Sequence, residues 1–356
     1  MTLVKPTTPH SSSGIFPVLN SLEISYARRL KEIFHGELPT GSLKEIRSLK
    51  IEFCSSLEGI FAFEDDEEMF NFQSLTELTL STLPSFTGIS KYISNGSEWL
   101  LEDISPEQSD IIIQPLFDTK VHFPVLTKVY IISLNLKEIW NSQLSAESFC
   151  ELKYLGVTGC HKLLRLVPTH MQNRLQKLEC IYTSYCSSLE EIFEFRRLTV
   201  DDEGDAAALT ISESRNQSRQ AFQNLREISI FSCESLRTLL SPSIARGLVK
   251  LQRLKIKDCE KIEEIVAAAE GEETEDDNLF PQLCTLTLED LPNLSSFSQG
   301  RYNFKWPLVK DIKVLKCYNM KRFCLGSLST PKEVKIDVQG ASKSVLQVLN
   351  NSRNRI

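Results

Sequence analysis

Several kinds of feature are missing from these 356 residues, and each absence removes a class of function. No stretch approaches the roughly 20 apolar residues that a membrane-crossing helix needs. The opening Met1-Thr2-Leu3-Val4-Lys5-Pro6 has neither the apolar segment nor the cleavage site of a secretory signal. The chain is therefore expected inside the cell, in the cytoplasm, reaching nucleus or membrane only through partners. There is no G-x-x-x-x-G-K-[ST] phosphate loop, no G-x-G-x-x-G, no G-x-S-x-G nucleophile elbow and no kinase signature. The five histidines, His10, His35, His122, His161 and His170, are scattered and form no H-E-x-x-H. The ten cysteines include no C-x-x-C pair and no Cys/His grouping with zinc spacing. Residues 201–213 imitate a calcium loop, but the glycine stands fourth instead of sixth and the sharp turn fails. No catalytic residue, metal, cofactor or small-molecule substrate is expected, and the chain is not expected to be an enzyme.

What is present is a spacing. An apolar residue recurs at steps 0, 3, 6, 8, 11, 14 and 17, about ten times along the chain. One copy is Leu248, Leu251, Leu254, Ile256, Cys259, Ile262 and Ile265; another is Phe222, Leu225, Ile228, Ile230, Cys233, Leu236 and Leu239. A third is Phe280, Leu283, Leu286, Leu288, Leu291, Leu294 and Phe297. This L-x-x-L-x-L-x-x-(C/L)-x-x-L pattern is a leucine-rich repeat. It predicts an α/β repeat solenoid, a leucine-rich-repeat horseshoe with a parallel concave β-sheet and a mostly irregular or short-helical convex side. The L-x-L pair of each unit is predicted to be a short strand, with its leucines inward and the flanking residues outward. No single unit can bury its own apolar stripe, so the array must be contiguous.

The repeats open at Phe16, Leu43, Phe72, Phe123, Phe149, Leu175, Phe222, Leu248, Phe280, Trp306 and, more weakly, Leu328. Residues 1–14, polar and rich in Ser, Thr and Pro, are predicted to be disordered. Residues 15–338 form the solenoid, about ten to eleven repeats with inserts near 62–70, 90–121, 194–220 and 266–279. Residues 339–356 form a C-terminal cap or tail, where Val345, Leu346, Val348 and Leu349 suit a short helix. No capping unit is evident before Phe16, so the array is expected to continue upstream. Cys54, Cys160, Cys186, Cys233, Cys259 and Cys317 all occupy the eleventh step. A small, buried, weakly polar side chain suits the turn out of the strand there, which predicts a structural role for these thiols. Cys150, Cys180, Cys284 and Cys324 fall elsewhere. The repeat opening at Leu175 departs from the pattern by placing Thr183 where its neighbours have isoleucine.

The formal net charge is −7, yet its distribution is uneven. Three acidic runs, 64–68, 201–205 and 270–277, hold fifteen of the 47 carboxylates and no Lys or Arg. The remaining 32 face 40 Lys and Arg, so the repeat body is about +8. Such runs act either as solvated turns or as shields over a basic concave surface. A fourth insert, about 91–120, is more apolar, with Trp99, Leu100, Leu101, Ile111, Ile112 and Ile113. On the concave face the outward positions carry Lys128, Tyr130 and Ile132, then Tyr154, Tyr182 and Phe231. A basic patch of Arg253, Lys255 and Lys257 follows, with Lys313 two repeats further on. Aromatics beside Arg and Lys dominate binding energy at interfaces, although exposed Tyr also suits a strand by propensity alone. These ten residues are the candidate partner-binding set. The patch is short and the chain acidic, so nucleic acid is not expected as a partner.

Two kinds of unit interleave. One reads F-P-x-L-x-x-L-x-L-x-x-L-P-x-L, as in Phe280-Pro281-Gln282-Leu283 followed by Leu291-Pro292-Asn293-Leu294, with Leu83-Pro84 in the repeat opening at Phe72. The other reads L-x-x-L-x-I-x-x-C-x-x-L-E-E-I and runs into an acidic insert, as at residues 251–270. The combination resembles the leucine-rich-repeat region of plant nucleotide-binding disease resistance proteins of the coiled-coil class, over roughly residues 16–337. That resemblance implies repeats that detect a pathogen effector, or a guarded host protein altered by one, and that restrain the nucleotide-binding domain of the same receptor. Neither the coiled coil nor that domain lies within these residues, so nucleotide binding is not assigned to them. The alternatives are a free-standing scaffold or an F-box-type substrate adaptor of a ubiquitin ligase, whose repeats continue differently from the Glu-Lys-Ile-Glu-Glu-Ile found after Cys259. A receptor ectodomain would require a signal peptide, paired capping cysteines and an asparagine ladder.

Overall fold

In the computed structural model the described residues are 1–4, 14–64, 68–92, 114–194, 221–268 and 278–352. They divide into two compact units, Met1–Leu152 with Gly159–Leu163, and Lys153–Thr158 with Leu164–Ile356. In both units the repeat spacing translates step by step into backbone. Steps 0 to 3 are a turn closed by one hydrogen bond: the Leu225 N–H donates to the Phe222 carbonyl at 2.9 Å, Leu152 to Phe149 at 3.1 Å and Leu283 to Phe280 at 3.0 Å. Steps 5 to 9 are a five-residue strand whose second and fourth side chains enter the core. Steps 11 to 14 are a second turn of the same kind, with Leu189 N–H on the Cys186 carbonyl and Met320 N–H on that of Cys317 at 3.2 and 3.1 Å. The apolar residues at steps 0 and 3, and those at steps 11 and 14, are therefore the two buried ends of a turn.

In the first unit the main sheet stacks Ser21–Ser25, Ser48–Glu52, Glu77–Ser81 and Lys128–Ile132 in parallel. In the second it stacks Tyr154–Thr158, Cys180–Ser184, Glu227–Phe231, Arg253–Lys257, Thr285–Glu289, Asp311–Leu315 and Lys335–Gln339. Inward pairs such as Leu78/Leu80, Ile228/Ile230 and Leu286/Leu288 are fully buried. At roughly 1.5–3 kcal/mol for each buried aliphatic side chain, these stripes supply the driving force that no isolated repeat has.

The residue that turns the chain out of each strand lies one step before the cysteine slot. Tyr26, Phe53, Thr82, Ser133 and Gly159 in the first unit, and Tyr185, Ser232, Asp258, Asp290, Lys316 and Gly340 in the second, all have φ between 51° and 80°. For a residue with a Cβ this left-handed conformation costs on the order of 1–2 kcal/mol. What it gains is a donor aimed at the next repeat. The N–H of Tyr185 reaches the Phe231 carbonyl, that of Ser232 reaches Lys257 and that of Asp258 reaches Glu289, each at 3.0 Å.

The cysteines then act on those same carbonyls. Cys233 Sγ donates to the Phe231 carbonyl at 3.5 Å, Cys259 to that of Lys257 at 3.3 Å and Cys317 to that of Leu315 at 3.4 Å. The carbonyl has two lone pairs, one taken by the preceding repeat and one by the thiol. All six slot cysteines are buried and free of disulfides. The odd residue Thr183, also buried, is satisfied within this row: its hydroxyl donates to Cys186 Sγ at 3.6 Å and lies 4.0 Å from Cys233 Sγ.

The return side is more β than helix. The E-E-I step, expected in an irregular or short-helical path, forms a second parallel ladder: Glu32–His35, Gly59–Phe63 and Ser90–Tyr92 in the first unit, and Thr238–Leu240, Glu264–Val266 and Ser296–Ser298 in the second. Arg165–Val167 pairs with Glu191–Phe193 in the same manner. The reason is local: Ile33-Phe34, Ile192-Phe193 and Ile265-Val266 are adjacent buried residues of β-branched or aromatic type. Helix is confined to Thr169–Gln172, Pro242–Gly247 and Lys343–Ser352 among the described residues.

Both ends differ in part from expectation. Thr2–Val4, placed in a disordered stretch by composition, is a strand beside Glu32–His35, with Thr2 opposite Glu32 and Val4 opposite Phe34. Thr-Leu-Val suits a strand, and the Lys31 N–H donates to the Met1 carbonyl at 2.9 Å. The opener Phe16 is 46% exposed, whereas the other openers are buried, because no main strand packs in front of Ser21–Ser25 among the described residues. The tail forms the helix Lys343–Ser352, which buries Val345 and Leu349 and leaves Leu346 exposed. Its last residue lies 2.8 Å from the Thr330 hydroxyl through Ser352 Oγ. Most of the acidic runs (65–67, 201–205 and 270–277) and the apolar segment 93–113 lie outside the described residues.

Ser232→Val, which forces a β-branched side chain into the left-handed step, should lower the urea midpoint, while Ser232→Gly should hold or raise it; the reverse order would contradict the account of the turn. Burial pushes the Cys259 and Cys317 thiols from about 9 up to about 12. A folded value above the unfolded one means their contribution to stability is complete below pH 9 and is lost as pH rises through about 12. Mass spectrometry after thiol alkylation at pH 7 should find the six slot cysteines unmodified in the folded chain and all ten modified in urea. Stability should also fall less between pH 9 and 12 in Cys259→Ala than in the parent.

Candidate protein-binding face

The first, third and fifth residues of every main strand point away from the core, and the pairing register places them in three rows across each sheet. In the first unit Lys128, Tyr130 and Ile132 fill the three outward steps of one strand, opposite Glu77, Thr79 and Ser81. Lys128 Nζ lies 3.7 Å from Glu77. Nearby Lys50 contacts Glu52 at 2.9 Å and Glu23 at 3.0 Å, and these carboxylates raise its pKa above the usual lysine value.

In the second unit Tyr154, Tyr182 and Phe231 stand at the first, third and fifth steps of successive strands, so they cross the face diagonally instead of forming one column. The register runs Tyr182, Ser229, Lys255, Thr287, Lys313, Asp337 along the middle row. Phe231 sits opposite Lys257 in the row beside it. The Tyr182 and Phe231 ring centroids are 5.5 Å apart, and Lys255 Nζ rests 4.9 Å from the centre of the Phe231 ring.

The basic patch is not a bare block of positive charge. Arg253 Nε meets Glu227 one strand away at 2.9 Å, Lys257 contacts Glu289 of the next strand, and Lys313 pairs with Asp311 at 3.2 Å. Exposed pairs of this sort contribute about 0–1 kcal/mol each, so their effect is to level the field and hold side-chain geometry. Lys255 differs. Among the described residues it makes no ion pair with a carboxylate; its ammonium is seated on the aromatic ring instead.

Sequence reading passed over Glu227, Glu289 and Asp311, although they occupy the same outward steps as the bases and could be found by counting from L-x-L. It also missed aromatics at the left-handed step. Tyr26 and Phe53 stack there at 4.9 Å with exposures of 66% and 41%, and Tyr185 is 61% exposed. Among the described residues no group of three or more His, Cys, Asp or Glu is placed to hold a metal, and no helix is long and apolar enough to cross a membrane. The chemistry on offer at this face is contact: aromatic surface, an ammonium and paired charges.

The sequence pattern of the family described as plant disease resistance protein RPS2-like, leucine-rich repeats, matches residues 3–96 and 126–260, more than half of the chain. The chain belongs to that family. Leucine-rich repeats of this kind are protein-interaction modules. The second matched stretch carries Tyr130, Tyr154, Tyr182, Phe231 and Lys255, and Lys313 falls beyond it. A probable disease resistance protein of Arabidopsis thaliana is 25% identical over 209 residues, which is 55% of this chain and 20% of that relative. The chain thus spans about one-fifth of the relative's length. Two solved plant receptor structures overlap it weakly. The peptide hormone receptor RGFR1 in complex with RGF2 shows 8% identity and a TM-score of 0.18, covering 88% of this chain and 71% of the receptor. The leucine-rich-repeat ectodomain of GASSHO1/SCHENGEN3 from Arabidopsis thaliana shows 12% identity and a TM-score of 0.12, covering 86% and 57%. Overlaps that slight carry no argument about function.

Proposed function

We propose that this disease resistance repeat region recognises a protein through the solvent-facing side of its main sheets, the partner being a pathogen effector or a host protein altered by one. It works inside the cell, in the cytoplasm and without a chemical step. It also restrains a nucleotide-binding switch domain outside these residues. The observation that carries the reading is the Tyr182, Phe231 and Lys255 cluster, in which large side chains stand where the core makes no use of them. Aromatic and cationic anchors on a rigid sheet bind with little loss of side-chain freedom, because the strand fixes their backbone and each ring has few torsions. The family match supports the immune setting over the F-box adaptor.

The test is a partner recovered by proximity labelling in pathogen-challenged leaves and then measured with purified protein. Changing Tyr130 and Tyr182 together to alanine should weaken binding at least tenfold while moving the melting temperature by no more than about 2 °C, since both stand at outward steps of their strands and outside the core. Undiminished affinity in the double variant would move the site off the sheet faces.

A further inference from the structure

We infer that Tyr182, Phe231 and Lys255 form a site for an acidic protein segment, one that brings an Asp or Glu carboxylate to Lys255 and lays an apolar side chain against the two rings. This rests on the preceding reading that the sheet face binds protein, and it specifies the chemistry of what is bound. Charge complementarity is the argument. Of the four cations at outward steps of Arg253–Lys257 and Asp311–Leu315, the strands on either side of Thr285–Glu289, Arg253, Lys257 and Lys313 already have carboxylates at hydrogen-bonding or ion-pair distance. Lys255 has an aromatic ring and, among the described residues, no anion.

An incoming carboxylate completes Lys255 without breaking any existing pair. A cationic segment, in contrast, reaches Glu227 or Glu289 only by displacing Arg253 or Lys257. A nucleic-acid backbone, whose affinity grows with the number of phosphates neutralised, finds too few unpaired cations here. The Phe231 ring also holds the ammonium in place before any partner arrives, which lowers the ordering cost of binding. The Tyr182 ring, 36% exposed, extends the apolar surface beside Phe231.

The experiment is a selection of random twelve-residue peptides displayed on phage against the whole chain, followed by fluorescence anisotropy with the synthesised winners. Enriched peptides should carry Asp or Glu within two residues of an aromatic or aliphatic side chain. Lys255→Glu and Phe231→Ala should each weaken them at least tenfold, Lys255→Arg should retain binding, and the same charge reversal at exposed Lys332 should change it less than threefold. Circular dichroism melts should show that the variants keep the parent fold. Neutral or basic winners that depend on Tyr182 and Phe231 would overturn the acidic-segment proposal and leave sheet-face binding standing. Winners indifferent to all three positions, or no enrichment at all, would overturn both.

Discussion

The backbone hydrogen bond that leaves one repeat and ends on the next is the interaction the rest of the structure depends on. At the end of each main strand a residue adopts the left-handed conformation, and in most of them its N–H is satisfied by a carbonyl in the following repeat, as Asp290 is by Leu315 at 3.0 Å. The strain is local and the reward lies in the neighbour, so a single repeat is left with the cost and without the compensation. The same logic holds at the strand's start. The N–H groups of Gln252 and Arg253 converge on the Arg226 carbonyl, and those of Cys284 and Thr285 on the Gln252 carbonyl. Register is therefore pinned at both ends of strands such as Arg253–Lys257 and Thr285–Glu289, and a one-residue slip, which would turn leucines to solvent, is opposed there by backbone as well as core.

With register fixed, the solvent side becomes a lattice of known spacing. Strands about 4.8 Å apart bring a carboxylate and a base of neighbouring repeats into contact whenever they share a row, and Glu227 with Arg253 and Lys257 with Glu289 are instances. Charge on such a face cannot be judged by counting bases along one strand, because the neutralising partner is one repeat away in space and some 26 to 32 residues away in sequence. Lys255 stands out only once that pairing is known.

This locates the boundary of what the sequence made legible. The inward row, the turns and the shared cysteine slot are periodic, and periodicity survives being read in one dimension. The second ladder was hidden because its apolar residues come as adjacent pairs such as Ile265-Val266, which lack alternation and lie beside a charged Glu-Glu step. The Thr2–Val4 strand was hidden because its partner, Glu32–His35, is 30 residues away and the flanking composition is polar. The ten candidate binding residues were placed on the correct side of their strands by counting, but their neighbours were not, since cross-strand contact depends on register and on how many residues each insert adds. The diagonal of Tyr154, Tyr182 and Phe231 shows this most clearly: each was recognised as outward, while the step it occupied within its own strand was what set its company.

The position of the aromatic cluster has a mechanical consequence. Tyr182, Phe231 and Lys255 belong to three successive main strands, so anything that touches all three bridges three repeats. In a quasi-one-dimensional array stability is a sum of repeat and neighbour terms, and opening propagates from weak interfaces. The insert between residues 194 and 221 falls in sequence between the first two of these strands, which nevertheless pair directly, and Glu194 at its start contacts Thr169 and Arg165. A partner spanning the strands on either side of that insert would tie together repeats that are far apart in sequence. Its binding free energy would then appear as added cooperativity between those repeats, since a ligand held by the closed array stabilises it against opening by mass action. The proposed recognition surface would thereby couple occupancy to the rigidity of the array through suppressed local opening.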